Sequence, residues 1–162
     1  MKKTMLLLAT LLIGGLMITG CSKEPTPSPT PEPTPSTNTI RVAYQVANTY
    51  EGLVMSECFK LNVTYLDANG KEVTESGVSL PWTKEIEVTK PFHAKMNGQI
   101  VYNEEELPDK VVFGTHVGIG YYKGTSLIIS LTGGLTSGDR DKFLKLMENN
   151  PDKLKFSKET DF

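Results

Sequence analysis

The fold is decided by the stretch FKLNVTYLDANG, residues 59–70. Apolar side chains occupy every second position up to residue 65, and polar side chains lie between them. A period of two is typical of a β-strand that buries one face and exposes the other. Asn69 and Gly70 then supply the positive φ angles that a tight hairpin turn requires. We therefore predict a strand, a hairpin turn and a returning strand over residues 71–74.

The same alternation recurs between residues 39 and 135, with turn residues at intervals of about 8–12 positions. Further strands are predicted near residues 42–46, 84–89, 92–96, 111–122 and 127–131. About seven strands without a helical period favour an antiparallel β-sandwich. A closed barrel stays open as an alternative, because periodicity does not report closure.

The C-terminal residues 136–162 begin with a helical pattern instead. Gly133 and Gly134 end the predicted sheet, and a short helix follows them. The apolar stripe of this helix consists of Phe143, Leu144 and Met147. We expect the helix and the extension after it to pack on the sandwich as a cover.

The N-terminal residues have the organisation of a bacterial lipoprotein signal peptide, which we predict to span residues 1–20. Lys2 and Lys3 form a basic start, and the apolar run after them is too short and too close to the N-terminus for a membrane span. The segment closes on ITGC, residues 18–21, which resembles a lipobox. We predict that Cys21 is lipidated and tethers the protein to a membrane. The alternative is an ordinary secretory signal with a chance cysteine.

A proline-rich stalk is predicted over residues 21–38. After the cysteine it reads SKEPTPSPTPEPTPSTN, which cannot bury a core and lacks backbone donors for regular hydrogen bonding. An extended polyproline II segment of this length reaches up to ~50 Å at ~3.1 Å per residue. It is expected to act as a spacer, with a proline-rich ligand for a partner domain as the alternative.

The charge balance and the cysteine count narrow the function classes. Removing the signal peptide reduces 17 basic residues to 15 against 19 acidic ones, so the formal net charge moves from −2 to −4. Without a basic cluster, we expect no nucleic-acid partner. The predicted location is the cell envelope, and Ser22 after the lipidated cysteine favours the outer membrane if the host is Gram-negative. Cys58 then has no cysteine to pair with, and we interpret it as a small buried hydrophobe.

Three short motifs resemble the MmpS family (mycobacterial membrane protein small). They are VAYQV at residues 42–46, VTYLDANG at residues 63–70 and LPW at residues 80–82. The resemblance covers residues 40–96. It implies an immunoglobulin-like sandwich of an exported, membrane-tethered protein that assists a transporter of lipids or siderophores. The sequence differs from that family in having a lipobox and stalk where the family has a transmembrane helix, and in lacking its disulfide.

No constellation of residues indicates catalysis, so we predict that the protein is not an enzyme and has no metal site or cofactor. His93 and His116 lack the spacing of paired metal ligands and are expected to be solvated strand residues. The acidic segment with residues 104–106 and Asp109 lacks the regularity of a calcium loop and is read as a solvated loop. The glycines of the strand pattern are better explained by sheet twist or close backbone approach than by phosphate binding; they are Gly114, Gly118, Gly120 and Gly124.

Two functions of different class remain. The first is a protein-interaction module that recruits an envelope protein, with a transporter implied by the family resemblance. The second is a glycan- or lipid-binding lipoprotein that uses Tyr121, Tyr122 and nearby aromatic residues. A long uncovered edge strand favours the first, and a contiguous aromatic platform favours the second. Trp82 is expected to be a core residue, with stacking on a sugar ring as the alternative.

Overall fold

The computed structural model describes residues 38–50 and 52–162. The predicted signal peptide, the stalk up to residue 37 and Cys21 lie outside these residues. The strands are β1 (Thr39–Ala47), β2 (Thr49–Tyr50), β3 (Leu53–Val54), β4 (Phe59–Leu66), β5 (Glu72–Val78), β6 (Trp82–Thr89), β7 (His93–Tyr102), β8 (Lys110–Lys123), β9 (Ser126–Ile129), β10 (Thr132–Asp139) and β11 (Lys155–Asp161). Helix α1 spans Arg140–Asn149, and short 3₁₀ helices span Glu104–Glu106 and Pro151–Leu154. No helix in these described ranges is long and apolar enough to cross a membrane.

Two antiparallel sheets form the domain. The first has the strand order β10-β8-β1-β6, with β9 paired to the far end of β8, and the second has the order β11-β7-β4-β5. Strands β2 and β3 form a separate small hairpin. The predicted all-β sandwich is therefore confirmed, with more strands than the seven expected. The four additional strands are β10, β11 and the two-residue strands β2 and β3.

The central strand pairs are those of an immunoglobulin-like sandwich. In that fold the second strand pairs with the fifth, and the third with the sixth, in opposite sheets. Here the pair of β1 and β6 corresponds to the second and fifth strands, and the pair of β4 and β7 corresponds to the third and sixth. Strand β11 extends the second sheet beyond β7. Strand β8 lies beside β1, at the place of the first immunoglobulin strand. The fold thus keeps the central pairs and fills one flanking position from later in the chain.

The stretch at residues 59–70 folds as its alternation predicts. The apolar side chains at residues 59, 61, 63 and 65 are all buried, and the polar ones between them are half-buried or exposed. The hairpin turn is held by Asp67, whose Oδ1 accepts the backbone N–H groups of Asn69 at 2.8 Å and Lys71 at 2.9 Å. Gly70 has a φ of 73°, which is the reason for glycine at this position. These hydrogen bonds also lower the pKa of the Asp67 carboxyl.

Between the sheets, the inward residues of β1 meet those of β4. Val42, Tyr44 and Val46 are fully buried, and the Tyr44 hydroxyl donates to the Leu66 carbonyl oxygen at 2.8 Å. The Tyr44 ring lies 5.4 Å from the ring of Tyr65 in the opposite sheet. Burial raises the pKa of Tyr44 far above its ordinary value, so its hydroxyl stays a neutral donor inside the core.

Helix α1 covers one end of the sandwich. Its Phe143 and Met147 are buried, and the Phe143 ring packs 5.7 Å from Phe59 and 5.4 Å from Tyr102. One expectation about this region is wrong. The sheet does not end at Gly133-Gly134, because both glycines lie inside β10, which pairs with β8 along its whole length. Strand β10 also spans the predicted boundary between the sandwich and the C-terminal segment at residues 135 and 136. Because of its glycines this segment shows no hydrophobic alternation, although its backbone pairs with β8.

Candidate functional site

One side of the sandwich is closed by a hydrogen-bonded cluster around Glu75. Strands β5 and β6 are the edges of the two sheets on this side. The Glu75 Oε2 atom accepts the Trp82 Nε1–H at 2.9 Å, and Oε1 accepts the Tyr65 hydroxyl at 3.1 Å. The Lys84 ammonium lies 3.6 Å from Oε1. The carboxylate of one sheet edge is thus bound by side chains from both sheets.

Electrostatics within this cluster favour an ionised Glu75. The hydrogen bond from Trp82 is the main cause that lowers the pKa of Glu75, followed by the one from Tyr65 and by the charge of Lys84. Burial raises the pKa of Tyr65, which remains a neutral donor. Trp82 itself is only 7% exposed, and its ring lies 5.6 Å from that of Tyr65. The prediction that Trp82 belongs to the core is confirmed, and its face is not available for a sugar ring.

The opposite side of the sandwich is open. There, the edges β10 and β11 leave a cleft of about 290 Å³ between the sheets. One wall is formed by β8 and β10, and the other by the start of β11 and the 3₁₀ turn before it. The lining side chains that matter for recognition are Phe113, Thr115, Phe156, Lys153, Lys155 and Lys158.

The cleft exists because β10 carries small residues on its inward face. Cross-strand partners of an antiparallel sheet share a face, and Phe113 and Val117 of β8 are buried. Their partners on β10 are Thr136 and Thr132, and Gly134 lies between these two on the same face. A Cβ atom placed on Gly134 would meet no heavy atom within 4 Å. The inward face of β10 therefore leaves space where a core strand would place branched or aromatic side chains.

The charged groups that line the cleft are all lysines. Lys153, Lys155 and Lys158 come from one wall, and no carboxylate of the described residues lines the space. Lys155 forms an ion pair at 2.9 Å with Asp152, which does not line the cleft. In the part of the chain that the structure describes, neither Lys153 nor Lys158 forms an ion pair. Since the whole chain has a net charge of −2, this is a local positive region on an acidic protein.

The outer edges of the two sheets differ in how they discourage pairing with another chain. Exposed edges are normally protected by charged side chains, by bulges or by inward-facing charges. Strand β6 carries three charges, β5 carries two glutamates and a glycine with a φ of 67°, and β11 carries four charges. Strand β9 pairs only with β8 and reads SLII, so this short edge carries no charge. Strand β10 is twice as long, reads TGGLTSGD and has no charge before its last residue. Among the described residues, no strand pairs with its outer edge.

The two tyrosines considered for ligand stacking are not brought together. Tyr121 and Tyr122 are consecutive in β8, so their side chains project from opposite faces of the sheet. The ring of Tyr121 packs 5.5 Å from that of Phe162. The ring of Tyr122 is covered by the Arg41 guanidinium at 3.7 Å, and its hydroxyl donates to Glu85. They do not form a contiguous aromatic platform.

The other residues singled out from the sequence have structural explanations. His93 is exposed, with Nδ1 2.7 Å from an Asp161 oxygen across the β7–β11 pair, whereas His116 is half-buried in β8. The acidic segment forms a 3₁₀ turn capped by Asn103, which accepts the Glu105 backbone N–H. Burial raises the pKa of the Cys58 thiol, which keeps it protonated. In the described residues, no group of three His, Cys, Asp or Glu side chains is placed to hold a metal ion.

Two glycines of β8 permit the close approach that their pattern indicated. A Cβ atom on Gly118 would lie 2.6 Å from the Ser130 carbonyl oxygen, and one on Gly120 would lie 2.4 Å from that of Ile128. Both oxygens belong to the segment that folds back after the β8–β9 turn. These glycines therefore allow β9 and the residues that lead into β10 to lie close against β8.

Sequence reasoning missed β10 and the lysine-lined cleft. The available signals were an uncharged run of Thr, Gly and Ser at residues 132–138 and three lysines within residues 153–158. Neither is a hydrophobic pattern, so neither marks a strand by periodicity. The sequence matches no protein-family model and no curated protein. The resemblance to the MmpS family and the lipidation of Cys21 stay predictions.

Proposed function

We propose that this protein is a non-catalytic interaction module that binds an extended segment of an envelope protein by strand addition to β10. In this mode a peptide pairs with a free sheet edge through main-chain hydrogen bonds, and pockets for alternate side chains give specificity. The observation that carries the proposal is the free and nearly uncharged outer edge of β10. The edges β5, β6 and β11 carry charges that oppose such pairing, and the uncharged edge β9 has only four residues.

The cleft beside β10 supports the same function. An added strand would continue the first sheet, so every second side chain would turn toward the second sheet, where the cleft lies. The small inward residues of β10 leave that space unfilled. A free edge and an adjacent pocket are the two elements that strand-addition domains combine.

The place of action follows from the N-terminal prediction. A lipid at Cys21 would hold the protein at a membrane of the cell envelope, and the stalk would lift the domain toward proteins at a distance from the bilayer. The resemblance to the MmpS family points to a transporter component as the class of partner. The glycan- or lipid-binding alternative loses its main support, since Tyr121 and Tyr122 lie on opposite faces.

The test is site-specific photocrosslinking in intact cells that carry the full chain. A photoreactive side chain replaces Ser137, which is exposed on β10, and in a matched control it replaces Thr83, which is exposed on β6. We expect a discrete protein adduct from position 137 and none of the same mass from position 83. In a complex purified with that partner, the backbone amides of β10 should exchange hydrogen more slowly than in the free protein. Equal adducts from both positions, or unchanged β10 exchange, would contradict strand addition at this edge.

A further inference from the structure

The chemistry of the cleft identifies the kind of segment that β10 would accept, on the basis of the proposed strand addition. Lys153, Lys155 and Lys158 lie on the wall that faces an added strand, and within residues 38–50 and 52–162 no carboxylate lines that space. Charged groups across an interface are arranged so that opposite signs meet. We propose that the segment bound at β10 is acidic, with carboxylates at alternate positions on the side that faces β11.

Lys158 is the lysine best placed for this recognition. It pairs with Met96 across the β7–β11 ladder, and Met96 is fully buried, so Lys158 shares the inward face of the second sheet. Its side chain is half-buried and lines the cleft. A carboxylate beside it would be less screened by water than at an exposed site. An inward lysine also protects β11 from pairing, which leaves β10 as the accepting edge.

The cleft also limits the size of what can enter. Its walls include Phe113 and Phe156, while Gly134 and Thr136 form the side under the added strand. A volume of about 290 Å³ holds two or three side chains of medium size rather than a folded surface. Glutamate has an aliphatic stem for contact with the aromatic rings and a carboxylate for the lysines. An extended acidic segment fits both the volume and the charge.

The probe peptides have eight residues in which threonine alternates with glutamate, or with glutamine as an uncharged match of the same shape. Affinity for the purified full chain is measured by fluorescence anisotropy, and hydrogen exchange of β10 reports where each peptide binds. We expect the glutamate peptide to bind about tenfold more tightly than the glutamine peptide, since several weak ion pairs add together. This difference should shrink as the salt concentration rises.

Two pairs of variants locate the effect. Lys158→Gln should weaken binding of the glutamate peptide by roughly threefold to fivefold and leave the glutamine peptide unaffected, whereas Lys60→Gln, on an exposed position of β4, should change neither. Gly134→Leu should fill the cleft and weaken both peptides. Gly138→Leu is its control, because Gly138 also has open space around an added Cβ but does not line the cleft. The thermal stability of each variant shows that it is folded.

The outcomes separate this inference from the proposed function. If both peptides slow hydrogen exchange at β10 equally and Lys158→Gln has no effect, strand addition stands and the acidic preference is wrong. If neither peptide protects β10, the proposed function itself is contradicted. If the full chain dimerises through β10 in sedimentation experiments and the dimer excludes both peptides, the occupant is a second copy and the acidic segment is refuted.

Discussion

Replacing Trp82 measures how much the closed side of the sandwich contributes to stability. The side chain is 7% exposed, contacts the Tyr65 ring and donates to Glu75. Trp82→Ala removes a large aromatic group and leaves a cavity, which costs about 3–5 kcal/mol of unfolding free energy. Trp82→Phe keeps most of the apolar contact but loses the N–H donor to a carboxylate, and we expect a cost of about 1–2 kcal/mol.

These free energies convert into clear shifts of the melting temperature. A domain of this size loses roughly 3–5 °C per kcal/mol, so Trp82→Ala should melt about 10–20 °C below the wild type and Trp82→Phe about 4–8 °C below it. The assay is thermal unfolding followed by circular dichroism, with Thr83→Ala as a control at an exposed neighbouring position. Since the chain has a single tryptophan, its fluorescence reports this site alone.

The result that would refute this account has two parts. One is a wild-type emission maximum typical of water-exposed indole, and the other is an unchanged melting temperature for Trp82→Ala. A further comparison isolates the hydrogen bond: in the Trp82→Phe background, Glu75→Gln should cost less than in the wild type, because its main donor is already absent. Equal costs in both backgrounds would place the stabilisation in packing alone.

The other predictions address the anchor, the domain, the backbone and the pH dependence of stability. Cys21→Ser should release the protein from membranes and abolish labelling with acyl chains, and persistent labelling would disprove the lipobox assignment. A chain limited to residues 38–162 should be soluble and unfold in one β-rich transition by circular dichroism, whereas a non-cooperative melt would contradict independent folding. Gly120→Ala should destabilise the fold by about 1–3 kcal/mol in chemical denaturation, because its Cβ would come within 2.4 Å of a carbonyl oxygen. Gly134→Ala, in open space, should be neutral or slightly stabilising in the same assay. Because the pKa of Glu75 is lowered by folding from its ordinary 4.5, its contribution is present above that pH and lost as the pH falls through the folded value. Glu75→Gln should therefore flatten the acid side of the stability profile, and an identical acid profile would count against the cluster.

The parts of the fold that could be predicted are those where burial and periodicity coincide. Strand β4 buries every second side chain, β1 buries its alternate residues Val42, Tyr44 and Val46, and the turn at residues 69–70 requires a backbone that few other pairs adopt. The helix was visible because Phe143 and Met147 are one turn apart and both face the core. In each case one local pattern contained the information.

The parts that could not be predicted depend on pairing rather than on burial. Strand β10 has Thr, Gly, Thr and Gly on its inward face, so it is a strand only because β8 supplies its hydrogen-bonding partner. The cleft arises from residues 24 positions apart, Gly134 on one edge and Lys158 on the other, and no local signal places them together. Likewise, the sequence indicated that Trp82 is buried but not that Glu75 accepts its N–H group.

The position of β1 has a mechanical consequence. The described chain begins at residue 38 and runs directly into this strand, which is bonded to β6 on one side and to β8 on the other. A load applied through a membrane tether would therefore pull lengthwise on an interior strand. It would have to shear two ladders of hydrogen bonds together, instead of peeling an edge strand one bond at a time. Resistance to such a load is governed by the unfolding rate rather than by equilibrium stability. A partner bound at β10 would then apply force to an edge strand of the sheet, whereas the predicted tether would apply force to an interior strand.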